Sequence, residues 1–297
     1  MQIVKKPFAL IAFVSLPAFA EPYQWEVKGN YQSDDYDSER VGDSERYKLW
    51  GAYYWDPVTT DRGPLAEAAF LSRASNFTLE LEREEYQSDH RFDYRCVDGT
   101  DCRATHYGRS ADNNRATLGF EYYRPHSWLY LAGSYQYLER KQDSWANVEG
   151  QDVHYDYTSD HDYWSASVGI TPLDGWLLAT QFGEGGDGEL FEGDFNVSSK
   201  YVWQLGGGRA LNVEGAYFVD NSYNDWRLGA DYYFNKTLSL GASIGDDKTS
   251  EIRLKKYLTD SISLEASYWD YDGGYSYRYG VGDNPGDGFS VGMSVRF

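Results

Sequence analysis

From Phe289 to the end of the chain every second residue is apolar. Phe289, Val291, Met293, Val295 and Phe297 share one face, while Ser290, Gly292, Ser294 and Arg296 share the other. Successive side chains of a β-strand point to opposite faces, so this period of two specifies a strand with one apolar and one polar side. The pattern recurs upstream in segments of about ten residues, the length that crosses a bilayer as a tilted strand. Ile262, Leu264, Ala266 and Tyr268 oppose Ser263, Glu265 and Ser267; Leu238, Leu240, Ala242 and Ile244 oppose Ser239, Gly241 and Ser243. Trp226, Leu228, Ala230, Tyr232 and Phe234 oppose Arg227, Gly229, Asp231 and Tyr233.

A soluble sandwich alternates as well, so the connections decide. Tight turns at Thr259-Asp260, Asn235-Lys236, Gly206-Gly207-Gly208, Pro172-Leu173-Asp174-Gly175 and Arg124-Pro125-His126 alternate with other connections, most of them longer and acidic. The longer ones lie near 272–286, 220–225, 184–191, 141–159 and 88–112, with a short one at 246–249. Transmembrane barrels have short periplasmic turns and longer external loops, and a sandwich has no reason to keep that rhythm. No stretch after the first twenty residues is apolar enough for a spanning helix, and a chain that crosses a membrane without such helices must close its hydrogen-bond ladder into a barrel. The expected fold is therefore an all-β, antiparallel, up-and-down transmembrane barrel.

Strands are expected near 23–33, 46–56, 76–87, 113–124, 127–139, 161–171, 175–183, 192–204, 209–219, 225–234, 237–245, 250–258, 261–270 and 287–297. That makes fourteen, with twelve and sixteen as alternatives. Pro64 to Leu71 could be read as one more strand, but the count would become odd and the termini would fall on opposite sides. Residues 57–75 are instead expected to form a long periplasmic connection, helical or tucked under the lumen. Strands about 4.7 Å apart and tilted by about 40° give a fourteen-strand barrel a backbone radius of roughly 14 Å, wide enough for an aqueous interior.

Residues 1–20 read as an export signal: Lys5 and Lys6 precede an apolar run from Phe8 to Leu16, and Ala18-Phe19-Ala20 supplies a small-x-small cleavage site. Residues 21–297 then form a single outer-membrane β-barrel domain. Its 28 Tyr and 10 Trp suit interface belts. They gather beside the tight turns, as in Tyr53-Tyr54-Trp55 and Tyr232-Tyr233-Phe234, with a second set, including Tyr135, Tyr217 and Trp226, toward the loops. The net charge of −20 becomes −22 once the signal and its two lysines are removed, which argues against nucleic-acid partners. Cys96 and Cys102 lie six apart in RCVDGTDCR, a spacing that in an exported chain favours a loop disulfide over a pair of free thiols.

The stretch DPVTTDRGPLAEAAFLSRASN, Asp56 to Asn76, resembles a segment of the putative general bacterial porins of Gram-negative bacteria. The resemblance implies a passive channel in the outer membrane for small hydrophilic solutes or ions, with outer-membrane lipid and lipopolysaccharide around it. Outer-membrane barrels as a class end in an aromatic residue that resembles the signal read by the barrel-assembly machinery. By that resemblance Val291, Met293, Val295 and Phe297 form the assembly signal. A homo-oligomer is compatible with this reading, and no cofactor or metal is expected.

If Phe297 faces lipid, the opposite parity faces the lumen. Candidate pore-lining residues are then Lys28, Lys48, Glu80, Glu82, Glu84, Arg115, Glu121, Arg227, Asp231, Glu251, Arg253, Lys255 and Arg296, joined by Glu26, Lys200, Glu214 and Glu265. That set is nearly balanced, and an interior charged on both signs suits a pore rather than a packed core. The acidity lies in the external connections, where a ring of carboxylates would concentrate cations at the mouth or bind divalent ions shared with lipopolysaccharide. Glu80, Glu82 and Glu84 form an acidic ladder; Arg253 and Lys255 form a basic one. They either face each other across the lumen or pair with adjacent strands, and the second is the simpler expectation. The 88–112 loop is the candidate for an inward-folding constriction. An enzyme is the weaker alternative, because His154 and His161 sit among loop aspartates without a serine motif to make a nucleophile. A plugged structural or adhesive barrel is the other alternative.

Overall fold

The computed structural model describes residues 22–36, 42–97, 101–148, 151–185, 195–219, 224–246, 248–271 and 286–297; side chains of 36, 89–107, 146–152 and 184–185 lie outside this description. The export signal expected over residues 1–20 also lies outside the described residues. Fourteen strands follow in chain order. The first seven are β1 (Tyr23–Tyr36), β2 (Asp43–Val58), β3 (Asn76–Val97), β4 (Asp101–Tyr123), β5 (Leu129–Val148), β6 (Gln151–Ile170) and β7 (Trp176–Gly185). The second seven are β8 (Phe195–Gly206), β9 (Arg209–Val219), β10 (Asn224–Asn235), β11 (Leu238–Gly245), β12 (Thr249–Tyr257), β13 (Ile262–Tyr271) and β14 (Gly286–Arg296). Each pairs with its sequence neighbours, and β1 pairs with β14 to close the barrel. The closing register sets Glu26 opposite Arg296 and Lys28 opposite Ser294.

Turn chemistry fixes the tight connections. Gly206, Gly207 and Gly208 all have positive φ (80°, 64° and 76°), a run open to glycine at little cost. At the β10–β11 turn Asn235 Oδ1 accepts from the Thr237 amide at 2.9 Å, and at the β12–β13 turn Thr259 Oγ1 accepts from the Ser261 and Ile262 amides. The apolar and polar faces are inverted relative to a soluble protein. Leu49, Leu79, Leu118, Val168, Leu228, Leu254, Leu264 and Val291 are exposed on the outside, while Glu26, Glu82, Asn212, Ser263 and Arg296 are buried inside. Lipid on one side and a polar interior on the other produce that inversion.

Two connections differ from the sequence expectation. Residues 88–97 and 101–112 are the outer parts of β3 and β4, and 141–148 and 151–159 are the outer parts of β5 and β6. The β4–β5 ladder runs from Tyr123–Tyr130 out to His106–Asn147. The expected inward-folding loop at 88–112 is thus replaced by an extension of the wall. These segments are rich in Asp, Asn and Ser, which strands ordinarily avoid, so composition reads as loop where ladder hydrogen bonding prevails. The backbone register sets Cys96 opposite Cys102 at the hairpin end; a bond between their side chains lies outside the described residues.

The segment between β2 and β3 carries the helical structure among the described residues: a 3-10 turn at Leu65–Glu67 runs into a one-turn helix, α1 (Ala68–Leu71). Arg73, just beyond α1, has φ of 50°, and the Arg73 and Ala74 amides donate back to Phe70 and Ala69. This left-handed stop turns the chain back toward β3.

Candidate functional site

Inside the barrel is a cavity of about 730 Å³, and its lining includes ten of the sequence-derived pore candidates: Lys28, Lys48, Glu80, Glu82, Glu84, Arg115, Arg227, Glu251, Lys255 and Glu265. Lysines and arginines of one strand sit opposite acids of the next because equal parity in neighbouring strands means the same face. On β2, β3 and β4 the register aligns Lys48, Glu82 and Arg115. Glu82 accepts from Arg115 Nη1 at 2.6 Å, lies 3.0 Å from Lys48 Nζ and is approached by Arg46 Nε at 3.7 Å. Arg46 Nη2 donates to Glu84 at 2.6 Å, and Lys48 also reaches Glu80 at 3.2 Å. On the β10–β13 wall Arg227 and Arg253 share Glu251, Arg253 also holds Asp231, and Lys255 pairs with Glu265 at 2.9 Å. The acidic and basic ladders are therefore each compensated by neighbouring strands. They stand five strands apart around the barrel rather than face to face.

The other candidates lie off the cavity lining. Glu121 accepts from Asn76 and from Tyr130 Oη near the turn end. Asp231 and Arg253 belong to the β10–β12 network. Arg296 is buried at the bottom of the lumen, where its guanidinium lies between the rings of Tyr23 (4.7 Å) and Tyr257 (4.8 Å) and pairs with Glu26. Arg46, Arg140, Trp50 and Tyr163 line the cavity without having been singled out from sequence. Arg46 and Arg140 sit at the outer ends of the expected strands, where parity is hardest to carry. The Glu80–Glu84 ladder is the signal that calls for bases on the next strand.

Below the cavity, residues 59–75 cross the opening on the tight-turn side. Their contacts run around the circumference. The Leu65 amide donates to Lys236 of the β10–β11 turn, and Arg296 Nη1 of β14 donates to the Leu65 carbonyl at 2.8 Å. Glu67 accepts from Tyr233 Oη of β10 at 2.6 Å and from Lys200 Nζ of β8 at 2.8 Å. Gln204 Nε2 of β8 donates to the Arg62 carbonyl. The Arg73 guanidinium reaches the carbonyls of Ser127, Thr171 and Leu173 and the carboxylate of Asp174. β8 and β10 lie five and six strands from the segment's roots, so the crossing spans the barrel's diameter. Apolar contacts fix both ends: Ala68 and Ala74 pack with Tyr23, Ala52, Tyr54 and Val58, and Ala66, Phe70 and Leu71 pack on Val202, Ala210 and Tyr233. Burial alone would raise the Glu67 carboxyl, but the Lys200 ammonium and the two hydrogen bonds outweigh it and hold the group below the usual carboxylate range. Glu67 was not foreseen, since its partners lie more than 130 residues away.

A closed barrel with an apolar exterior, a charged interior and alternating turn lengths defines a bacterial outer-membrane channel protein. Solved structures share the fold. The outer membrane protein Omp33 of Acinetobacter baumannii superimposes with a TM-score of 0.61 at 17% identity, covering 93% of this chain and 99% of that one. The Pseudomonas putida toluene transporter TodX gives 0.53 at 10% identity, covering 94% and 89%. The sequence profile of the family described as "Putative general bacterial porin" matches residues 3–129 and 186–297, and the chain belongs to that family. Among curated protein sequences no relative matches.

Proposed function

We propose that the barrel carries small hydrophilic solutes by passive diffusion, with the charged cavity as the solute compartment and residues 59–75 as a closure that shifts for through passage. The observation that carries this reading is the cavity itself: a charged space of about 730 Å³ enclosed by strands and lined by both signs. Ion pairs set into the wall keep such a space wettable while leaving room between them. Planar-bilayer recording tests it. The intact chain should give discrete conductance steps, and Glu67→Gln, which removes the carboxylate held by Lys200, should lengthen the open dwell. Silence from both proteins overturns the reading. It would support the second reading, a plugged barrel, which the burial of Val58, Leu65 and Ala68 beneath the cavity favours.

The finer features belong to the same proposal. Asp43, Glu45, Glu85, Asp112, Asp143 and Asp156, with Lys141, line a concavity of about 520 Å³ toward the external end. Carboxylates there concentrate cations within roughly a Debye length of about 8 Å. Val291, Met293, Val295 and Phe297 serve as the assembly signal, and Cys96–Cys102 ties the end of the β3–β4 hairpin. Contacts with lipopolysaccharide and with further copies of the chain would be made by the outer face.

A further inference from the structure

We infer that the internal cavity selects small anions, carboxylate-bearing solutes among them, although the chain is strongly acidic and its external end carries carboxylates. Transport of such solutes rests on the channel reading above; their occupancy of the cavity does not. The ground is the direction in which the ion pairs point. Glu82 has a side-chain exposure of 3%, while Lys48 beside it has 35%. Glu26 has 3% and Lys28 has 41%. Glu251 has 15% and Arg227 has 36%. In each pair the carboxylate is set into the wall and the base reaches into the lumen, so each pair is a dipole with its positive end inward. Lys255 and Glu265 are the reverse case, at 16% and 40%, and Arg46 and Glu84 are even, at 18% and 19%.

The lining counts agree: seven basic and five acidic side chains face the cavity. A buried acid shared by several bases is already compensated, as Glu82 is by Arg46, Lys48 and Arg115. The exposed ammonium and guanidinium groups are the charges a solute meets at short range, where Coulomb energy is greatest. Lys28 shows the arrangement most plainly. Its ammonium lies 4.6 Å from the centroid of the Trp50 ring and 3.4 Å from buried Glu26, and its side chain forms part of the cavity lining. The β5 and β6 residues that line the same cavity are Gln136, Leu138, Arg140 and Tyr163, none of them acidic. The acids toward the external end form a separate compartment and act on what approaches the mouth, not on what the cavity holds.

Chloride is the probe. Line broadening of ³⁵Cl⁻ in NMR reads anion occupancy on the folded, detergent-solubilised barrel whether or not it conducts. The wild-type protein should broaden the signal, and Lys28→Gln/Lys48→Gln/Arg227→Gln should cut that broadening about threefold or more, as expected when short-range Coulomb attraction is removed. Glu80→Gln/Glu265→Gln should increase it, an outcome misfolding would not produce; heat-dependent gel mobility confirms closed barrels, and Lys28→Gln alone stands in should the triple variant not fold. Equal broadening by wild type and the basic-residue variants, or a decrease in the acidic-residue variant, overturns the inference. Strong broadening with a silent bilayer sinks passive diffusion and leaves anion selection standing. Conductance steps with potassium-favouring reversal potentials and no excess broadening do the opposite.

Discussion

Arg296 joins the wall to the closure through three kinds of contact on one guanidinium. It pairs with Glu26, lies between the rings of Tyr23 and Tyr257, and donates from Nη1 to the Leu65 carbonyl. Only a planar group with several donors can stack on two rings and still serve a carboxylate and a carbonyl. Lysine at this position keeps the charge but loses the flat faces and the forked geometry. Arg296→Lys is therefore expected to loosen the closure by about 1–3 kcal/mol, the cost of leaving a buried acceptor poorly served. Hydrogen exchange is the measurement: amides over 65–71 should exchange faster, while those of β5 and β6 should keep their protection. Equal protection in both proteins would show that Arg296 does not hold the segment. Sequence parity placed Arg296 on the polar face, but nothing local announces a partner 231 residues away.

The closure as an element depends on ionisation. Glu67, held below its ordinary value of 4.5 by Lys200 and Tyr233 against the effect of burial, binds its proton more weakly when the segment is docked than when it is free. Its contribution is thus fully present above the free value and disappears as pH falls through the docked value. Docking should be constant from neutrality to about pH 4.5 and weaken below it. A spin label on Asp61, in the stretch entering the closure, should become more mobile between pH 5 and pH 3 in the wild-type barrel. With Glu67→Gln the label should be mobile already at neutral pH and show no step. A wild-type label unmoved down to pH 3 would remove the ion pair as the latch. The sequence offered a partial reading of this element. Parity excluded a fifteenth strand from Pro64–Leu71 and left a helical or tucked segment, which is its observed form. Its docking partners come from β8, β10, β14 and three turns, brought together only by closing the barrel, and no sequence period encodes that.

At the scale of the whole molecule one repeating choice, apolar outward and polar inward, sets the fold, and it is legible because a barrel has just two faces. Strand count, parity and turn side follow from it in β10, β11, β13 and β14, where the alternation is plainest. It fails outside the membrane, where β3 to β6 extend in polar sequence and no lipid imposes a pattern. The same logic makes the two faces unequal in their tolerance of charge. Leu254 is exposed on the outer face opposite Leu240, and Ser165 faces the lumen opposite Ser134. A lysine at Leu254 must enter hydrocarbon and should cost about 2–4 kcal/mol near the bilayer midplane. A lysine at Ser165 enters a polar cavity and loses one hydroxyl hydrogen bond, about 1 kcal/mol. Urea unfolding of each variant from lipid vesicles, read by Trp fluorescence, should separate them in that order. If Ser165→Lys were the more damaging, lumen and lipid faces would be exchanged, and the chamber with its inward-pointing bases would lie on the wrong side of the wall.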